Sequence, residues 1–285
     1  MKIRNVLNPV YLFKNREQIV PALITRRKRF SSFCHRWVLA QGAILTANDR
    51  RIDALKDKHR GRRCFIIGNG PSLKIEDLDR LKDEVTFASN KVYLAFDSTE
   101  WRPTHYSVTD VLVAENNRSA IDELNLSKIF EETIRPFSKK ESVIWLRLLP
   151  NPFENGEYKL GFSINALDGV YGGWTVIYLQ MQLAFYMGIR EIYLIGVDFS
   201  FEIPETTSEK CSSGTILKHQ GEINHFHPDY RKPGETWSMP SLDKQYEAFL
   251  EGKRAVESQG GKIFNASRRT KLDVYQVVDF DSIVN

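Results

Sequence analysis

From residue 63 onward, short apolar runs alternate with stretches of helical spacing, and this alternation constrains the fold more than any other feature of the sequence. Short apolar runs are typical of buried parallel strands, and the stretches between them are typical of the helices that cover such a sheet. We therefore predict an α/β fold with a Rossmann-like, mostly parallel sheet and helices on both faces. The predicted strands are Cys64–Gly68, Val85–Ser89, His105–Thr109, Val143–Leu146, Glu191–Val197 and Lys262–Asn265, and the predicted helices are Ile75–Leu81, Trp174–Met187 and Ser241–Ser258.

The charge distribution divides the chain into two predicted regions. Residues 1–63 contain 16 Lys and Arg against 4 Asp and Glu, whereas the whole chain has a net charge of only +4, so the remainder is acidic. We predict a basic helical N-terminal extension over residues 1–61 and a nucleotide-binding catalytic domain over residues 62–285. Residues 199–240 are polar and rich in Gly, Pro and His, and a loop of that length is usually functional, so we expect a lid-like loop there.

The basic extension has the composition of a segment that binds an anionic surface. Arg26–Arg29 form a basic cluster next to Phe30, Phe33 and Trp37. We expect residues 1–45 either to associate peripherally with an anionic membrane or to clasp an acidic face of the same chain or of a second subunit in a homo-oligomer. A solvated helical extension is the simpler alternative. Binding to nucleic acid is not expected, because the rest of the chain is acidic and has no recognition motif.

Cysteine content and the length of the apolar runs predict a cytoplasmic protein. Cys34, Cys64 and Cys211 include no C-x-x-C pair, so they indicate neither a disulfide framework nor a zinc ribbon. No run of 18 apolar residues is present, which argues against a membrane-spanning helix. Any membrane association is therefore expected to be peripheral, on the inner face.

The first predicted strand runs directly into a glycine-rich turn and then into a helix. Glycine lets the backbone approach a phosphate closely, and a helix N-terminus offers unpaired N–H groups. The candidate nucleotide-binding residues are therefore Gly68, Asn69, Gly70, Pro71 and Ser72. We expect Gly70→Val to abolish nucleotide binding without unfolding the protein. The alternative is a plain turn in which Asn69 tolerates left-handed geometry and Ser72 caps the helix.

Polar residues follow three further predicted strands, and they are Asn90, Asp110 and Asp198. The carboxyl ends of parallel strands meet at one edge of a sheet, where ligands of open α/β sheets bind. We therefore predict that these three residues join the nucleotide site. Each of them alone could instead cap a helix or form an Asx-turn.

A histidine pair lies inside the predicted loop, in the run Asn224–Tyr230. Histidine titrates near neutral pH, so His225 placed over a substrate hydroxyl could accept its proton as a general base. A metal site built from His225 and His227 with Asp229 or His219 is an alternative, although no further ligand is evident for it. Two surface histidines in a flexible loop are the third interpretation.

Two sets of motifs resemble known enzyme families. Gly68–Lys74, Phe87–Asn90 and Glu191–Phe199 resemble the bacterial CMP-sialic acid-dependent sialyltransferases that modify lipooligosaccharide. The chain resembles more fully the MptE-like 6-hydroxymethylpterin pyrophosphokinase family, whose superfamily includes the motility accessory factors of flagellin glycosylation. That resemblance covers roughly residues 62–281 and not the basic N-terminus. Its motifs occur here at Gly172–Thr175, Tyr186–Gly188, Ile195–Asp198, Asn224–Tyr230 and Gly260–Ala266.

The resemblance implies roles for particular residues. It implies a sialyltransferase-like variant of the GT-A fold in which Asn69 and Asn90 hold the CMP moiety and His225 is the base for the acceptor hydroxyl. Thr175 joins the nucleotide-binding residues. A third asparagine of the sialyltransferases is replaced here by Asp110.

One departure concerns the leaving phosphate. The sialyltransferases stabilise it with two tyrosines, whereas Ser200 and Phe201 stand at the matching places here. A phosphate can also be neutralised by a nearby cation or hydrogen-bond donor. The candidates from the loop are Tyr230, Arg231 and Lys232.

These observations lead to one principal functional prediction and two alternatives. The principal prediction is an inverting glycosyltransferase that needs no metal or other cofactor and moves a sialic, pseudaminic or Kdo-like acid from a CMP-activated donor to a glycan acceptor on the bacterial cell surface. The first alternative is a pyrophosphokinase that uses ATP and Mg²⁺, with Asp110 and Asp198 as the available carboxylates. The second is a non-catalytic binding module that retains the fold.

Overall fold

The computed structural model describes residues 44, 46–138, 140–154, 156–202, 208–211, 214–218, 223–232 and 234–284. Residues 1–43 and 45 of the predicted basic extension lie outside the described residues, as does His219 of the alternative metal site. Peripheral binding to an anionic membrane through residues 1–45 therefore stays a prediction. From Arg51 onward, the described residues form one compact unit. Within the described part of the chain, no helix is both long and apolar enough to cross a membrane.

Strands and helices alternate in the first part of the described chain, as the sequence predicts, whereas the described residues of 129–171 and 191–238 form strands with no α-helix between them. The strands are β1 (Arg63–Ile67), β2 (Val85–Ser89), β3 (His105–Ser107), β4 (Ile129–Glu131), β5 (Ile144–Leu146), β6 (Leu148–Leu149), β7 (Phe153–Glu154), β8 (Glu157–Tyr158), β9 (Val170–Tyr171), β10 (Glu191–Ile195), β11 (Ser208–Cys211), β12 (Gly214–Lys218), β13 (Thr236–Ser238), β14 (Lys262–Asn265) and β15 (Gln276–Val277). The α-helices are α1 (Ala47–Asp53), α2 (Ile75–Asp79), α3 (Val111–Asn116), α4 (Arg118–Glu123), α5 (Val176–Tyr186), α6 (Leu242–Ser258) and α7 (Phe280–Ile283), and 3₁₀ helices cover Asn90–Ala95, Glu132–Phe137 and Pro228–Tyr230.

A six-stranded sheet forms the centre of this unit, with the spatial order β15-β14-β10-β1-β2-β3. Every neighbouring pair in it is parallel. The chain builds outward from β1 to β3 and then continues on the other side of β1 with β10, which is the doubly wound order of Rossmann folds. The predicted parallel α/β fold is confirmed, and the switch point of the topology lies between β1 and β10.

Apolar side chains project from both faces of the sheet, so a hydrophobic core forms on each face. Alternate residues of β1 point to opposite faces, so Cys64 and Ile66 join one core while Phe65 and Ile67 join the other. The first core contains α5 and Phe249 of α6, and the second contains Leu78 of α2. A sheet covered on both faces explains why its strands are continuous apolar runs.

Helix α5 is buried on every side, so its position is fixed by packing all round. Its two polar side chains bind neighbouring backbone. Gln180 Nε2 donates to the carbonyl of Ala88 at 2.8 Å, and Gln182 Oε1 accepts from the N–H groups of Ser163 and Tyr171, both at 2.9 Å. The helix therefore holds the end of β2 and the segment before β9 in fixed places.

The predicted strand Val143–Leu146 is present as β5 but does not belong to the central sheet. It pairs in parallel with β4, and a single bridge between Tyr106 and Lys128 connects this ladder to the edge at β3. The contact with β3 is only one residue pair long, so β4 and β5 form a short ladder beside the sheet edge.

At the carboxyl ends of β1 and β10 the two backbones approach each other closely. The N–H of Gly68 donates to the carbonyl of Ile195 at 2.8 Å, and the N–H of Gly70 donates to that of Gly196 at 2.9 Å. A Cβ atom on Gly68 would collide with the Gly196 carbonyl, and one on Gly70 would lie 2.7 Å from Asp198 Oδ2 and 2.8 Å from Gly196 O. These glycines are required by the packing of the two strand ends, whatever ligand the turn binds.

This contact adds a cost in stability to the predicted effect of Gly70→Val on nucleotide binding. We expect Gly70→Val to lower the free energy of unfolding by about 1–3 kcal/mol, because the new side chain overpacks a backbone contact that cannot open easily. Urea denaturation measures the change. Gly172→Ala is the matched control, since the nearest atom to its Cβ would be Leu148 Cδ1 at 3.4 Å, and it should shift stability little. Equal unfolding midpoints for Gly70→Val and wild type would contradict the requirement for glycine.

Candidate functional site

The carboxyl edge of the sheet opens into a cleft made of two adjoining cavities. The smaller cavity, of about 180 Å³, lies beside the glycine turn, and the larger has about 960 Å³. Together they are lined by all the predicted site residues except Ser72 and Lys232. The residues that line both cavities are Asn90, Thr175, Val176, Phe201, His225, Tyr230, Pro240 and Gln245.

Asn69 and Asn90 present buried amide oxygens at this edge. Asn69 is 9% exposed, and its Nδ2 donates to the carbonyl of Ser89 at 3.2 Å. The Oδ1 atoms of both asparagines are buried and have no hydrogen-bond partner in the described part of the protein. Asn90 also has a left-handed backbone, with φ of +52°, directly after β2. A buried acceptor without a partner costs about 1–3 kcal/mol, so a ligand that donates hydrogen bonds would be stabilised here.

Ser72 and Asp198 bind each other across the switch point. Asp198 Oδ2 accepts from the N–H of Ser72 at 2.8 Å, and its Oδ1 accepts from the Ser72 hydroxyl. Burial raises the pKa of Asp198, and these two hydrogen bonds oppose that rise. Asp198 lines the smaller cavity, whereas Ser72 is turned to Asp198 and lines neither cavity. Both oxygens of this carboxylate are therefore engaged in closing the turn.

Asp110 and Thr175 begin two helices that meet the cleft. Asp110 Oδ1 accepts from the N–H groups of Leu112 and Val113 at 2.7 and 3.2 Å, so it is the N-cap of α3. Thr175 Oγ1 accepts from the N–H of Ile177 at 3.3 Å and caps α5. The first turn of α5 lines both cavities, and a helix N-terminus carries a partial positive charge. The cleft therefore contains the positive end of a helix dipole, which the sequence marks only by Thr175.

The loop that contains His225 is attached to the glycine turn by its backbone. The N–H of Phe226 donates to the carbonyl of Asn69 at 3.0 Å. The His225 ring stacks on Tyr230, with ring centroids 3.7 Å apart and an angle of 5° between the planes. His227 lies outside both cavities, where its Nδ1 accepts from the N–H of Asp229 at 3.1 Å and caps a 3₁₀ helix. The structure therefore brings His225, and not His227, into the cleft.

The three residues proposed to neutralise a leaving phosphate occupy different places. Tyr230 is buried and lines both cavities. Arg231 lines the larger cavity, with its guanidinium carbon 3.5 Å from the centroid of the Trp237 ring. Lys232 is exposed and lines neither cavity, and its backbone N–H binds Glu235. Of the two cations, only Arg231 is placed at the cleft.

A buried ion pair between Lys91 and Glu235 was not predicted from the sequence. The Lys91 side chain is 3% exposed and that of Glu235 is 11% exposed, and Lys91 Nζ lies 2.7 Å from Glu235 Oε1. Burial lowers the pKa of Lys91, and the hydrogen bond to Glu235 opposes this shift. The pair connects the end of β2 to the loop before β13 and forms part of the wall of the larger cavity. The partners are 144 residues apart in the chain, and no local pattern reveals such a contact.

The described carboxylates of the cleft do not converge on one point. Within the described residues, no three His, Cys, Asp or Glu side chains converge as metal ligands would. Asp110 lines only the larger cavity and Asp198 only the smaller, and each is already bound to backbone N–H groups. The two carboxylates named for Mg²⁺ in the pyrophosphokinase alternative therefore do not fit one ion between them.

A family model described as 6-hydroxymethylpterin diphosphokinase MptE-like matches residues 43–204. The chain belongs to the MptE-like family. The predicted resemblance is thereby confirmed, and the match contains the glycine turn, Asn90, Asp110 and Thr175 but ends before His225. A search of curated protein sequences gave no match for the chain.

Two solved structures are similar to this member of the MptE-like family at low identity. One is the MAf glycosyltransferase from Magnetospirillum magneticum AMB-1, with 15% identity, a TM-score of 0.45, and coverage of 85% of this chain and 40% of that one. The chain therefore spans well under two thirds of that glycosyltransferase. The other is the sialyltransferase CstII from Campylobacter jejuni in complex with the substrate analogue CMP-3FNeuAc, with 12% identity, a TM-score of 0.43, and coverage of 79% and 88%.

The Lys91–Glu235 pair allows a test of how the loop is held over the cleft. Glu235→Gln leaves the Lys91 ammonium buried without a carboxylate, so we expect the free energy of unfolding to fall by about 3 kcal/mol. A double-mutant cycle with Lys91→Met, followed by urea denaturation, measures the coupling. The matched control is Glu84→Gln at the Arg63–Glu84 pair, whose side chains are 32% and 18% exposed and where about 1 kcal/mol or less is expected. A coupling energy near zero at Lys91–Glu235 would show that the pair does not hold the loop.

Proposed function

We propose that this chain is an inverting, metal-independent glycosyltransferase that transfers a sugar from a CMP-activated donor to a bacterial cell-surface glycan. The proposed donor sugar is a sialic, pseudaminic or Kdo-like acid. The observation that carries the proposal is the arrangement of Asn69, Asn90 and His225 around one cleft at the switch point of the sheet. This arrangement places a proposed site for a nucleobase and its phosphate beside a histidine, whose imidazole can accept a proton.

The proposed nucleotide site is the smaller cavity. Cytosine carries an exocyclic amine that donates hydrogen bonds, and the unpaired Oδ1 atoms of Asn69 and Asn90 are acceptors of the kind it needs. The volume of about 180 Å³ suits a pyrimidine base and not a whole nucleotide sugar. The rest of the donor would extend into the larger cavity, which adjoins the smaller one along Asn90 and Thr175.

The proposed phosphate site is the first turn of α5. Thr175 already binds the N–H groups of Ile177 and Tyr178, so the phosphate would be favoured there by the positive end of the helix dipole. Arg231, at the larger cavity, is the loop cation that remains a candidate to neutralise the departing phosphate. Charge that develops on the phosphate during transfer would meet donors that are already oriented, which is the condition for electrostatic stabilisation of a transition state.

The proposed reaction is a single displacement at the anomeric carbon. The acceptor hydroxyl oxygen forms a bond to that carbon as the bond to the CMP phosphate oxygen breaks. The phosphate keeps the electron pair of the broken bond, and the hydroxyl proton passes to the imidazole of His225. Stacking on Tyr230 fixes the plane of the imidazole ring, and the bond from Phe226 N–H to Asn69 O would hold its segment beside the proposed nucleotide site. Attack opposite to the leaving group inverts the configuration.

The name of the family favours a second candidate, an ATP-dependent diphosphokinase. Such a reaction needs Mg²⁺ to bridge the phosphates of ATP. Asp110 and Asp198 line separate cavities and are occupied by backbone N–H groups, so these two carboxylates do not fit that requirement. Glycosyl transfer is therefore the function that the residues support better.

A nucleotide panel tests the two functions directly. We expect CMP to raise the melting temperature more than CDP, UDP, GDP or ATP, with no added effect of Mg²⁺, because a ligand at 100 times its Kd stabilises by about 2.7 kcal/mol. Asn69→Ala should remove the CMP effect. Asn116→Ala is the control, since this exposed residue lies outside both cavities and binds the carbonyl of Thr236. A larger shift with ATP and Mg²⁺ than with CMP would favour the diphosphokinase.

The role of His225 as general base is tested by comparing two histidines of one loop. His225→Ala should lower the rate of CMP release from the bound donor in the presence of acceptor by about 10²- to 10⁴-fold, with the Kd for CMP nearly unchanged. His227→Ala, which removes a helix cap outside the cleft, is the matched control and should retain most activity. Full activity of His225→Ala would remove the proposed base. Equal loss in both variants, reproduced by EDTA, would instead indicate a metal held by the pair.

A further inference from the structure

Trp174 has an unusual backbone for so large a side chain. Its φ is +55°, in the left-handed region that bulky residues rarely adopt. Four non-glycine residues in the described segments have positive φ, and three of them, Asn90, Trp174 and Phe199, line the two cavities of the cleft. Such strain is retained only where the surroundings enforce it, and it is concentrated at functional sites.

The surroundings of Trp174 enforce this conformation from both sides. Gln245 Nε2, on α6, donates to the carbonyl of Trp174 at 3.0 Å. Thr175, the next residue, is fixed as the N-cap of α5. On the other side, Gly173 allows close packing, since a Cβ there would lie 2.5 Å from Cγ of the Tyr178 ring. The backbone of Trp174 is therefore held between two helices.

The strained backbone presents the indole to solvent at the cleft. The side chain is 48% exposed, and it lines the larger cavity. Lys244 Nζ lies 5.2 Å from the centroid of the ring and lines the same cavity. Single exposed apolar residues are common on protein surfaces and need no explanation. An indole that is held by a strained backbone at the border of a cleft is different, because neither stability nor core packing accounts for its position.

We propose that Trp174 is the platform on which a pyranose ring of the acceptor stacks. The C–H groups on one face of a pyranose carry partial positive charge and meet the negative face of an indole, while the hydroxyls at the ring edge stay free for polar contacts. Asp243 and Lys244 line the cavity beside Trp174 and are suited to bind such hydroxyls. The assignment of this pyranose to the acceptor rests on the proposed glycosyl transfer. Binding of a pyranose ring at Trp174 does not depend on that function.

A nucleobase is the other flat ligand that an indole could bind. Trp174 lines only the larger cavity, whereas Asn69 and the glycine turn line only the smaller one. A base seated at Asn69 would therefore be separated from Trp174 by the residues that both cavities share. A cavity of about 960 Å³ has room for sugar rings beside the transferred group. The geometry thus favours a sugar ring over a base at Trp174.

The test uses the full chain and a direct binding measurement. Saturation-transfer difference NMR with methyl β-D-galactopyranoside and lactose as probes should show transfer to the ring protons in the wild type, and Trp174→Ala should reduce it at least fivefold. Trp174→Phe should keep an intermediate signal, because the aromatic face is retained. Phe153→Ala, at a 61% exposed aromatic residue outside the cavities, is the control and should bind as the wild type does.

Trp174→Gly separates a binding role from a structural one. Glycine adopts positive φ without strain, so this variant should unfold at the wild-type temperature or above it and should still lose pyranoside binding. With an active donor, Trp174→Ala should raise the KM for lactose at least tenfold and leave the Kd for CMP within twofold.

Three results would overturn the proposal. They are absence of pyranoside binding by the wild type, unchanged pyranoside binding by Trp174→Ala, and a large rise in the Kd for CMP in that variant, which would indicate base stacking. Failure of the proposed glycosyl transfer is seen separately, as the lack of CMP stabilisation in the nucleotide panel. The NMR measurement needs neither donor nor turnover, so its result stands apart from that outcome.

Discussion

The contact between the ends of β1 and β10 determines where the rest of the site can lie. Gly68 and Gly70 bring the turn after β1 against the backbone of Gly196, and no side chain fits between them. At this distance Asp198 reaches Ser72 and closes the turn. The carbonyl of Asn69 then accepts from Phe226, which places the His225 segment on the same turn. One backbone contact thus sets the separation between the nucleotide site and the proposed base.

In the sheet and in α5, the amino-acid composition of each element agrees with its burial. The strands are apolar because the sheet is covered on both faces, and α5 is apolar because it is buried all round. The cleft holds several local conflicts, namely the unpaired oxygens of Asn69 and Asn90 and the left-handed backbones of Asn90 and Trp174, while buried unpaired atoms such as Trp101 Nε1 also occur away from it in the described residues. Natural sequences accept such conflicts mainly where function requires them.

The sequence predicts the framework well because that framework depends on local patterns. Apolar runs located five of the six central strands but not the two-residue strand β15, and Thr175 and Gly70 mark turns whose chemistry is local. Two kinds of feature could not be predicted from the sequence. The Lys91–Glu235 pair joins residues 144 apart, and nothing near either residue indicates the other. The dihedral angle of Trp174 is imposed by Gln245 on α6, so the motif Gly172–Thr175 shows a turn but not the strain within it. Asp110 is a third case. Its position at the carboxyl edge of the sheet was predicted from the sequence, but its side chain caps a helix, which was the alternative interpretation.

The charge balance of the larger cavity bears on the choice of nucleotide. Its lining includes three cations, Lys91, Arg231 and Lys244, against four carboxylates, Asp110, Glu131, Glu235 and Asp243. Lys91 is moreover bound to Glu235. A triphosphate would need cations to offset its charge, either from side chains or from a metal held by converging carboxylates, and the described residues supply neither arrangement. One phosphate, by contrast, can be held by the N-terminus of a helix and a single arginine. Under the proposed function, this charge balance suits a donor that leaves as a nucleoside monophosphate, which among activated sugars is the property of the CMP-linked acids.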